Sequence, residues 1–302
     1  MLQGSIPAII TPFHANGEVD YESFRYLVLW HIDEKSDALV VCGTTGESPT
    51  LSNEEQLELL RIAVREAKGR IPIIMGTGTN DTKSSLFKTE QALQNGAAAC
   101  LVIFPYYNRP TFEGCYEHFT RIASIGLPTL LYHHPGRTGI KFSALQLGEL
   151  SRIPGVIGIK EASGDVDLAA ELMRISSTAV FSGDDILTLP LISLGAKGVI
   201  SVVANVIPRE WHDFVSTCLA GDFVSARAQI ALHAPLCKAL GLETNPQCVK
   251  YAVSLLKRSA PYLRLPLLQP KDHVKEQIAK ALHGTLWEKQ LETKIATLNV
   301  LT

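Results

Sequence analysis

The stretch Ala38-Leu39-Val40-Val41-Cys42-Gly43-Thr44-Thr45-Gly46-Glu47-Ser48 decides the reading of the fold. Five apolar residues run without interruption and stop at a glycine-rich turn. A short run without polar alternation suits a strand buried on both faces, as in parallel sheets. A helical pattern follows at once in Glu54-Glu55-Gln56-Leu57-Glu58-Leu59-Leu60-Arg61-Ile62-Ala63. Ser52 stands three residues before Glu55, a capping-box spacing that predicts the helix start there. Strand, turn and helix make one unit.

The same unit recurs in both directions. Apolar runs ending in a turn signal are Ala8-Ile9-Ile10-Thr11, Pro72-Ile73-Ile74-Met75, Cys100-Leu101-Val102-Ile103-Phe104 and Pro128-Thr129-Leu130-Leu131-Tyr132. They continue in Val156-Ile157-Gly158-Ile159-Lys160, Ala179-Val180-Phe181-Ser182 and Gly198-Val199-Ile200-Ser201. From Pro12 to Ser201 the chain advances 189 residues over seven intervals, about 27 each. Eight strands alternating with helices at that period predict an α/β fold of the (β/α)8 TIM-barrel type. A doubly wound open sheet is the alternative. Against it, the first strand lacks a G-x-G-x-x-G turn, and Gly76-Thr77-Gly78 lacks the third glycine. Beyond the eighth strand the pattern is purely helical. Pro208 opens one helix and Gly221 follows it, and helical segments continue over 223–240, 249–258 and 271–282. This predicts a barrel over residues 1–224 and a small C-terminal helical domain over 225–302, its helices packing among themselves. The tail 291–302 has helical character with little to fix it.

Composition narrows the functional classes. Lys+Arg 28 against Asp+Glu 30 gives a net charge of −2, which speaks against a basic nucleic-acid footprint. Hydrophobic residues at 46% are too many for a disordered chain. Six cysteines are scattered without a C-x-x-C pair, as in a reduced, cytoplasmic enzyme. No signal-peptide pattern opens the chain. The longest uncharged stretch, 91–108, contains Gln91, Gln94, Asn95, Gly96 and Pro105. It reads as a helix end, a turn and a buried strand, not a membrane span. The expectation is a soluble chain.

In a (β/α)8 barrel the reacting groups sit at the C-terminal ends of the strands. Lys160 closes the sixth apolar run. A lysine directed into the barrel mouth loses hydration, which favours the neutral amine that can attack a carbonyl and form an imine. On periodicity alone, a lysine snorkelling from a strand end into water fits better. Tyr132 could exchange protons with such an adduct, or be a core tyrosine with its hydroxyl satisfied by backbone. Thr44 and Thr45 could bind a carboxylate or relay a proton, or simply build a turn between glycines. Arg137, in a Pro-Gly-Arg-Thr-Gly loop, could hold a carboxylate in a fork or make a surface ion pair. Asp184-Asp185 resembles a metal pair but precedes a helical run and reads as its cap. His133 and His134 are adjacent, so on a strand they face opposite ways and make a poor metal pair. No H-E-x-x-H, G-x-S-x-G or Walker sequence is present, and nothing asks for a metal, nucleotide or flavin cofactor.

Taken in order, these motifs resemble one family. They are Gly43-Thr44-Thr45-Gly46-Glu47-Ser48, Tyr106-Tyr107-Asn108-Arg109-Pro110, Tyr132-x-x-Pro135-Gly136-Arg137-Thr138-Gly139 and Gly158-Ile159-Lys160-Glu161-Ala162. Ser182-Gly183-Asp184-Asp185, Gly198-Val199-Ile200-Ser201 and Asn245-Pro246 complete the set. The chain resembles the dihydrodipicolinate synthase family, within the pyruvate-dependent class I aldolases, over residues 4–282. The resemblance implies a lyase without cofactor that condenses pyruvate with L-aspartate 4-semialdehyde in lysine and diaminopimelate biosynthesis. It implies that Lys160 forms a Schiff base with pyruvate and that Tyr132 moves protons. Thr44 would relay them to Tyr107, which reaches in from a neighbouring subunit. Thr45 would hold the pyruvate carboxylate, with the backbone at Gly183 and the carbonyl of Ile200 lining the keto-acid site. Arg137 would bind the carboxylate of the semialdehyde. A homo-oligomer follows from Tyr107, and a tetramer built from tight dimers is usual in this family. Neither nucleic acid nor membrane is an implied partner.

Within the superfamily, sialic-acid lyases carry Gly-Ser-Thr-Gly-Glu where this chain has Gly43-Thr44-Thr45-Gly46-Glu47, and they lack an arginine matching Arg137. Departures from the synthase pattern are His133, where Asn is usual, and His134, where a small apolar residue is usual. At the family's lysine-feedback pocket Ser48, Asn80 and Tyr106 fit. Asn53 and Gln56 stand where lysine-sensitive members often have histidines, and Ser84 stands where they have a glutamate. Weak or absent feedback by lysine is therefore expected. The alternatives are another pyruvate-dependent aldolase or dehydratase acting on a sugar acid, and a non-catalytic keto-acid-binding barrel.

Overall fold

A computed structural model of the chain describes residues 2–283; the tail 291–302 lies outside the described residues. Eight strands are present: β1 (Gly4–Pro7), β2 (Leu39–Val41), β3 (Ile73–Gly76), β4 (Ala99–Ile103), β5 (Thr129–His133), β6 (Val156–Glu161), β7 (Ala179–Ser182) and β8 (Gly198–Ser201). The helices through the barrel are α1 (Tyr21–Asp33), α2 (Asn53–Ala67), α3 (Thr82–Gln94), α4 (Phe112–Ala123), α5 (Pro135–Thr138), α6 (Ala144–Leu150), α7 (Val166–Ile175) and α8 (Thr188–Ser193). After β8 come α9 (Pro208–Leu219), α10 (Phe223–Leu240), α11 (Gln247–Leu255) and α12 (Asp272–His283).

All pairings between the eight strands are parallel. Strands β2 to β8 pair in sequence, and β8 pairs with β1. A bridge between Ala8 and Val40 joins the two remaining edges and closes a (β/α)8 barrel. The first strand differs from expectation: it spans Gly4–Pro7, not Ala8 to Thr11. The reason is a tertiary hydrogen bond. Ala8 N still donates to Ser201 O, and Ile9 N to Val40 O, but the next amide, Ile10 N, donates to the Asn205 side chain at 3.0 Å. The chain leaves the ladder there with its backbone groups satisfied.

Each strand feeds two cores because successive side chains face opposite ways. Ile6, Val40, Ile74, Leu101, Leu130, Tyr132, Phe181 and Ile200 fill the barrel interior. Leu39, Val41, Cys100, Val102, Leu131 and Ile159 face the helices. This double burial is why the strands read as continuous apolar runs.

Helix α2 starts where the sequence predicts. Ser52 Oγ accepts from Glu55 N at 3.1 Å, and Glu55 Oε2 accepts from Ser52 N at 2.8 Å, closing the capping box. Residues 91–108 comprise the end of α3, a turn and β4, and among the described residues no helix is long and apolar enough to cross a membrane. Pro208 is the first residue of α9, and Gly221 follows that helix with φ +81°. Helices α10 to α12 pack against one another, and α10 also packs against α8 and α9. Trp211 and Phe214 of α9 share one apolar cluster with Leu236 of α10, Val249 of α11 and Ile278 of α12. That packing holds the α10–α11 connection, with Asn245, against the mouth of the barrel.

Candidate active site

The C-terminal ends of the strands surround a cavity of about 160 Å³. Lys160, at the end of β6, projects into it. Its register partners are Tyr132 on β5 and Phe181 on β7, both interior residues. Only 5% of Lys160 is exposed, which excludes the snorkelling alternative, and its Nζ lies 4.3 Å from the centroid of the Tyr132 ring. The phenol face thus supports the amine from one side.

Thr44 and Thr45 follow β2 and line the same cavity. Thr45 is buried, and its Oγ1 accepts from Asn245 Nδ2 at 2.9 Å. Arg137, on α5, is exposed at the rim, and its Nη2 donates to the Asn245 carbonyl at 3.2 Å. Asn245 therefore fixes both a floor residue and the rim cation, a role invisible in sequence beyond the Asn-Pro dipeptide. Gly183 completes the wall. Its N donates to Glu161 O at 2.7 Å, and a Cβ there would lie 2.4 Å from Ala162 Cβ, so only glycine lets the end of β7 approach β6 this closely.

Two expected residues stand elsewhere. Ile200 is fully buried in the barrel interior, and Val202, two residues on, lines the cavity. Tyr107 is 90% exposed with φ +73°, outside the cavity of its own chain. Neither the Asp184 nor the Asp185 side chain caps α8, whose N-cap position is Leu187 and has no side-chain capping bond. Asp184 Oδ1 instead accepts from Ile186 N, and Asp185 Oδ2 reaches across to the amides of Val202 and Val203 at 3.0 and 2.8 Å. Three turn and loop amides outside the helix outcompete its own N-terminus for these carboxylates. Burial pushes the Asp185 carboxyl up to about 6.

The two histidines separate as strand alternation requires. His133 faces the helix layer and is fully buried. Its Nε2 accepts from Phe142 N at 3.4 Å, so Nδ1 donates to Glu161 Oε1 at 3.0 Å. His134 lines the cavity, its ring tilted edge-on to Tyr132 at 5.8 Å between centroids.

A second constellation, also unseen in sequence, braces the threonine loop from behind. Glu47, three residues after Thr44, has φ +55° and pairs with Lys250 of α11 at 2.6 Å, both buried. The other Glu47 oxygen accepts from Arg264 N at 3.1 Å.

The sequence matches the profile of the Dihydrodipicolinate synthetase family over residues 1–285. The chain belongs to that family. A 4-hydroxy-tetrahydrodipicolinate synthase of Pseudomonas aeruginosa is 44% identical over 290 residues, covering 94% of this chain and 99% of the relative. One of Hydrogenobaculum sp. is 45% identical over 285 residues, covering 93% and 98%. The crystal structure of dihydrodipicolinate synthase from Aquifex aeolicus superposes with a TM-score of 0.91 at 42% identity, covering 93% of this chain and 97% of that one. A chloride-inhibited dihydrodipicolinate synthase from Acinetobacter baumannii, crystallised with pyruvate, superposes at 0.92 with 40% identity, covering 94% and 99%. Within that fold Lys160, Tyr132, Thr44, Thr45, Arg137 and Gly183 stand around one space.

Proposed function

We propose that this protein is a lyase that condenses pyruvate with L-aspartate 4-semialdehyde to give 4-hydroxy-tetrahydrodipicolinate, on the route to diaminopimelate and lysine. The observation that carries the mechanism is the buried Lys160 amine against the Tyr132 ring, beside two threonines and a rim arginine. Lys160 attacks the keto carbon of pyruvate and water leaves, giving a protonated imine. That cation is an electron sink, so a methyl proton departs and an enamine forms. The enamine carbon attacks the aldehyde of the second substrate. The substrate's own amine then adds to the imine carbon and expels Lys160, closing the ring.

The surroundings suit these steps. Tyr132 exchanges protons at the adduct, and Thr44 links it toward Tyr107. Thr45, held by Asn245, receives the pyruvate carboxylate, with the backbone at Gly183 beside it. Arg137 takes the semialdehyde carboxylate in a charge-assisted fork. The exposure of Tyr107 supports its service to a neighbouring copy, and hence a homo-oligomer, a tetramer formed from two dimers. Six unpaired cysteines support a reducing, cytoplasmic setting. Lysine feedback is weak in this reading. Lys88 Nζ already donates to Gln56 Oε1 at 3.1 Å, placing a resident ammonium beside the pocket that a cationic effector would need.

The test is direct. Borohydride with pyruvate should leave a covalent adduct on the wild-type chain, and a coupled assay should show turnover of aspartate semialdehyde in preference to sugar-acid substrates. Absence of the adduct refutes the Schiff-base mechanism.

A further inference from the structure

His134 stands at the cavity where the mechanism gives it nothing to do. Its Nδ1 is buried without a hydrogen-bond partner, and such an orphan costs stability unless something else binds it. Burial, with Arg137 and Lys160 nearby, holds the imidazole down to about 4, so it is neutral at pH 7 and keeps one ring nitrogen as an acceptor. Space has been kept for the ring. Gly136 lies in α5 without a positive φ, so its backbone does not require glycine. A Cβ there would sit 3.3 Å from His134 Cε1 and 3.5 Å from Nδ1, so the imidazole would have to give by a few tenths of an ångström.

The second substrate offers what this acceptor lacks. Its amino-acid head carries a carboxylate and an ammonium on one carbon. Among the described residues that line the cavity there is the Arg137 cation but no carboxylate to receive the ammonium. Resting on the function proposed above, we propose that His134 recognises the ammonium of the aldehyde substrate by accepting a hydrogen bond from it, while Arg137 holds the carboxylate. His134 is thus a specificity residue for the second substrate and takes no part in binding pyruvate. The arrangement distinguishes an amino-acid aldehyde from an aldehyde acid lacking nitrogen.

The experiment compares His134→Val with the wild-type chain in steady-state assays, using aspartate semialdehyde as substrate and 4-oxobutanoate, which lacks the ammonium, as competing ligand. Valine fills the space without an acceptor. Loss of one hydrogen bond to a charged group should raise the KM for aspartate semialdehyde about tenfold. The KM for pyruvate, the borohydride-trapped adduct and the inhibition constant of 4-oxobutanoate should not change. Gly136→Ala, which nudges the ring and leaves its chemistry intact, should raise the same KM alone and by less than His134→Val. An unchanged KM for aspartate semialdehyde in His134→Val, or an equal weakening of 4-oxobutanoate, overturns the proposal. A variant that no longer traps pyruvate also overturns it, because His134 would then belong to the pyruvate site. Failure of the wild-type chain to turn over aspartate semialdehyde would instead refute the function on which the proposal rests.

Discussion

The Glu47–Lys250 pair is the part of the scaffold most exposed to a single substitution. Lys250 Nζ is completely buried, 2.6 Å from Glu47 Oε1 and 4.0 Å from the centroid of the Phe13 ring. Removing one member of a buried ion pair leaves the other charge unpaired in a poorly solvating interior and costs about 3–5 kcal/mol. In Lys250→Met the methionine keeps the volume. The remaining Glu47 carboxylate retains the Arg264 amide at 3.1 Å, with the Arg264 guanidinium over the same Phe13 ring. The loss should therefore fall at the lower end, about 3 kcal/mol. The double variant Glu47→Gln/Lys250→Met removes both charges and should be less destabilised than the sum of the single losses by at least about 1 kcal/mol. Urea denaturation followed by circular dichroism, at one fixed protein concentration so that association does not shift the midpoint, measures all four species. A Lys250→Met variant within 1 kcal/mol of wild type, or strictly additive single losses, would refute the reasoning.

Other outcomes follow from the same geometry. Lys160→Ala should abolish the borohydride-trapped pyruvate adduct, detected by mass spectrometry, while leaving the circular dichroism spectrum unchanged. Tyr107→Phe should lower turnover about tenfold with the fold intact, since proton transfer by a positioned side chain contributes factors of that order or more; wild-type kcat in this variant would remove Tyr107 from the relay. Submillimolar lysine should inhibit the steady-state rate weakly or not at all, and strong inhibition would contradict the part given to Asn53, Gln56 and Ser84. Acid should destabilise the protein, because burial holds His31 down to about 3 and both His118 and His134 down to about 4. The unfolded chain, with imidazoles near 6.5, binds those protons more readily, so stability is full above that value and is lost as pH falls toward 4. Asp185, pushed up to about 6, acts the other way, losing its contribution as pH rises through that value, and burial raises the Glu210 carboxyl too, but these are two groups against four, because burial also lowers His233. The urea midpoint should be lower at pH 5 than at pH 7, and an equal or higher midpoint would refute this.

The barrel was legible because its strands are buried twice. A residue such as Leu131 faces the helices while its neighbours Leu130 and Tyr132 face the interior, so neither position tolerates a charge and the run stays apolar. Lys160 stood out as a charge breaking that rule at a strand end. The apolar pattern misplaces the first strand because hydrophobicity reports burial and not pairing. Ala8, Ile9 and Ile10 are as buried as Ile6, yet the ladder ends among them because Asn205, nearly 200 residues away, supplies the acceptor for Ile10 N.

Long-range polar pairing explains the rest of what stayed hidden. Asn245 joins Thr45 and Arg137 across 200 and 108 residues, and Lys250 reaches Glu47 across 203. No local pattern marks such a partner, because a polar residue destined for burial looks like a surface residue until its counterpart is placed. The same limit applied to Asp184-Asp185. Helix-capping preference is a local rule worth about 1 kcal/mol, whereas Asp185 satisfies two amides of the β8 loop that would otherwise be left without partners at the mouth of the barrel. Buried donors cost about as much or more when unsatisfied, so the tertiary demand overrode the local one. The C-terminal helices therefore do more than cover apolar surface. With the connection between α10 and α11 they carry the partners, Asn245 and Lys250, that fix the loop bearing both threonines, so the shape of the cavity around Lys160 depends on residues that fold onto the barrel from its far end.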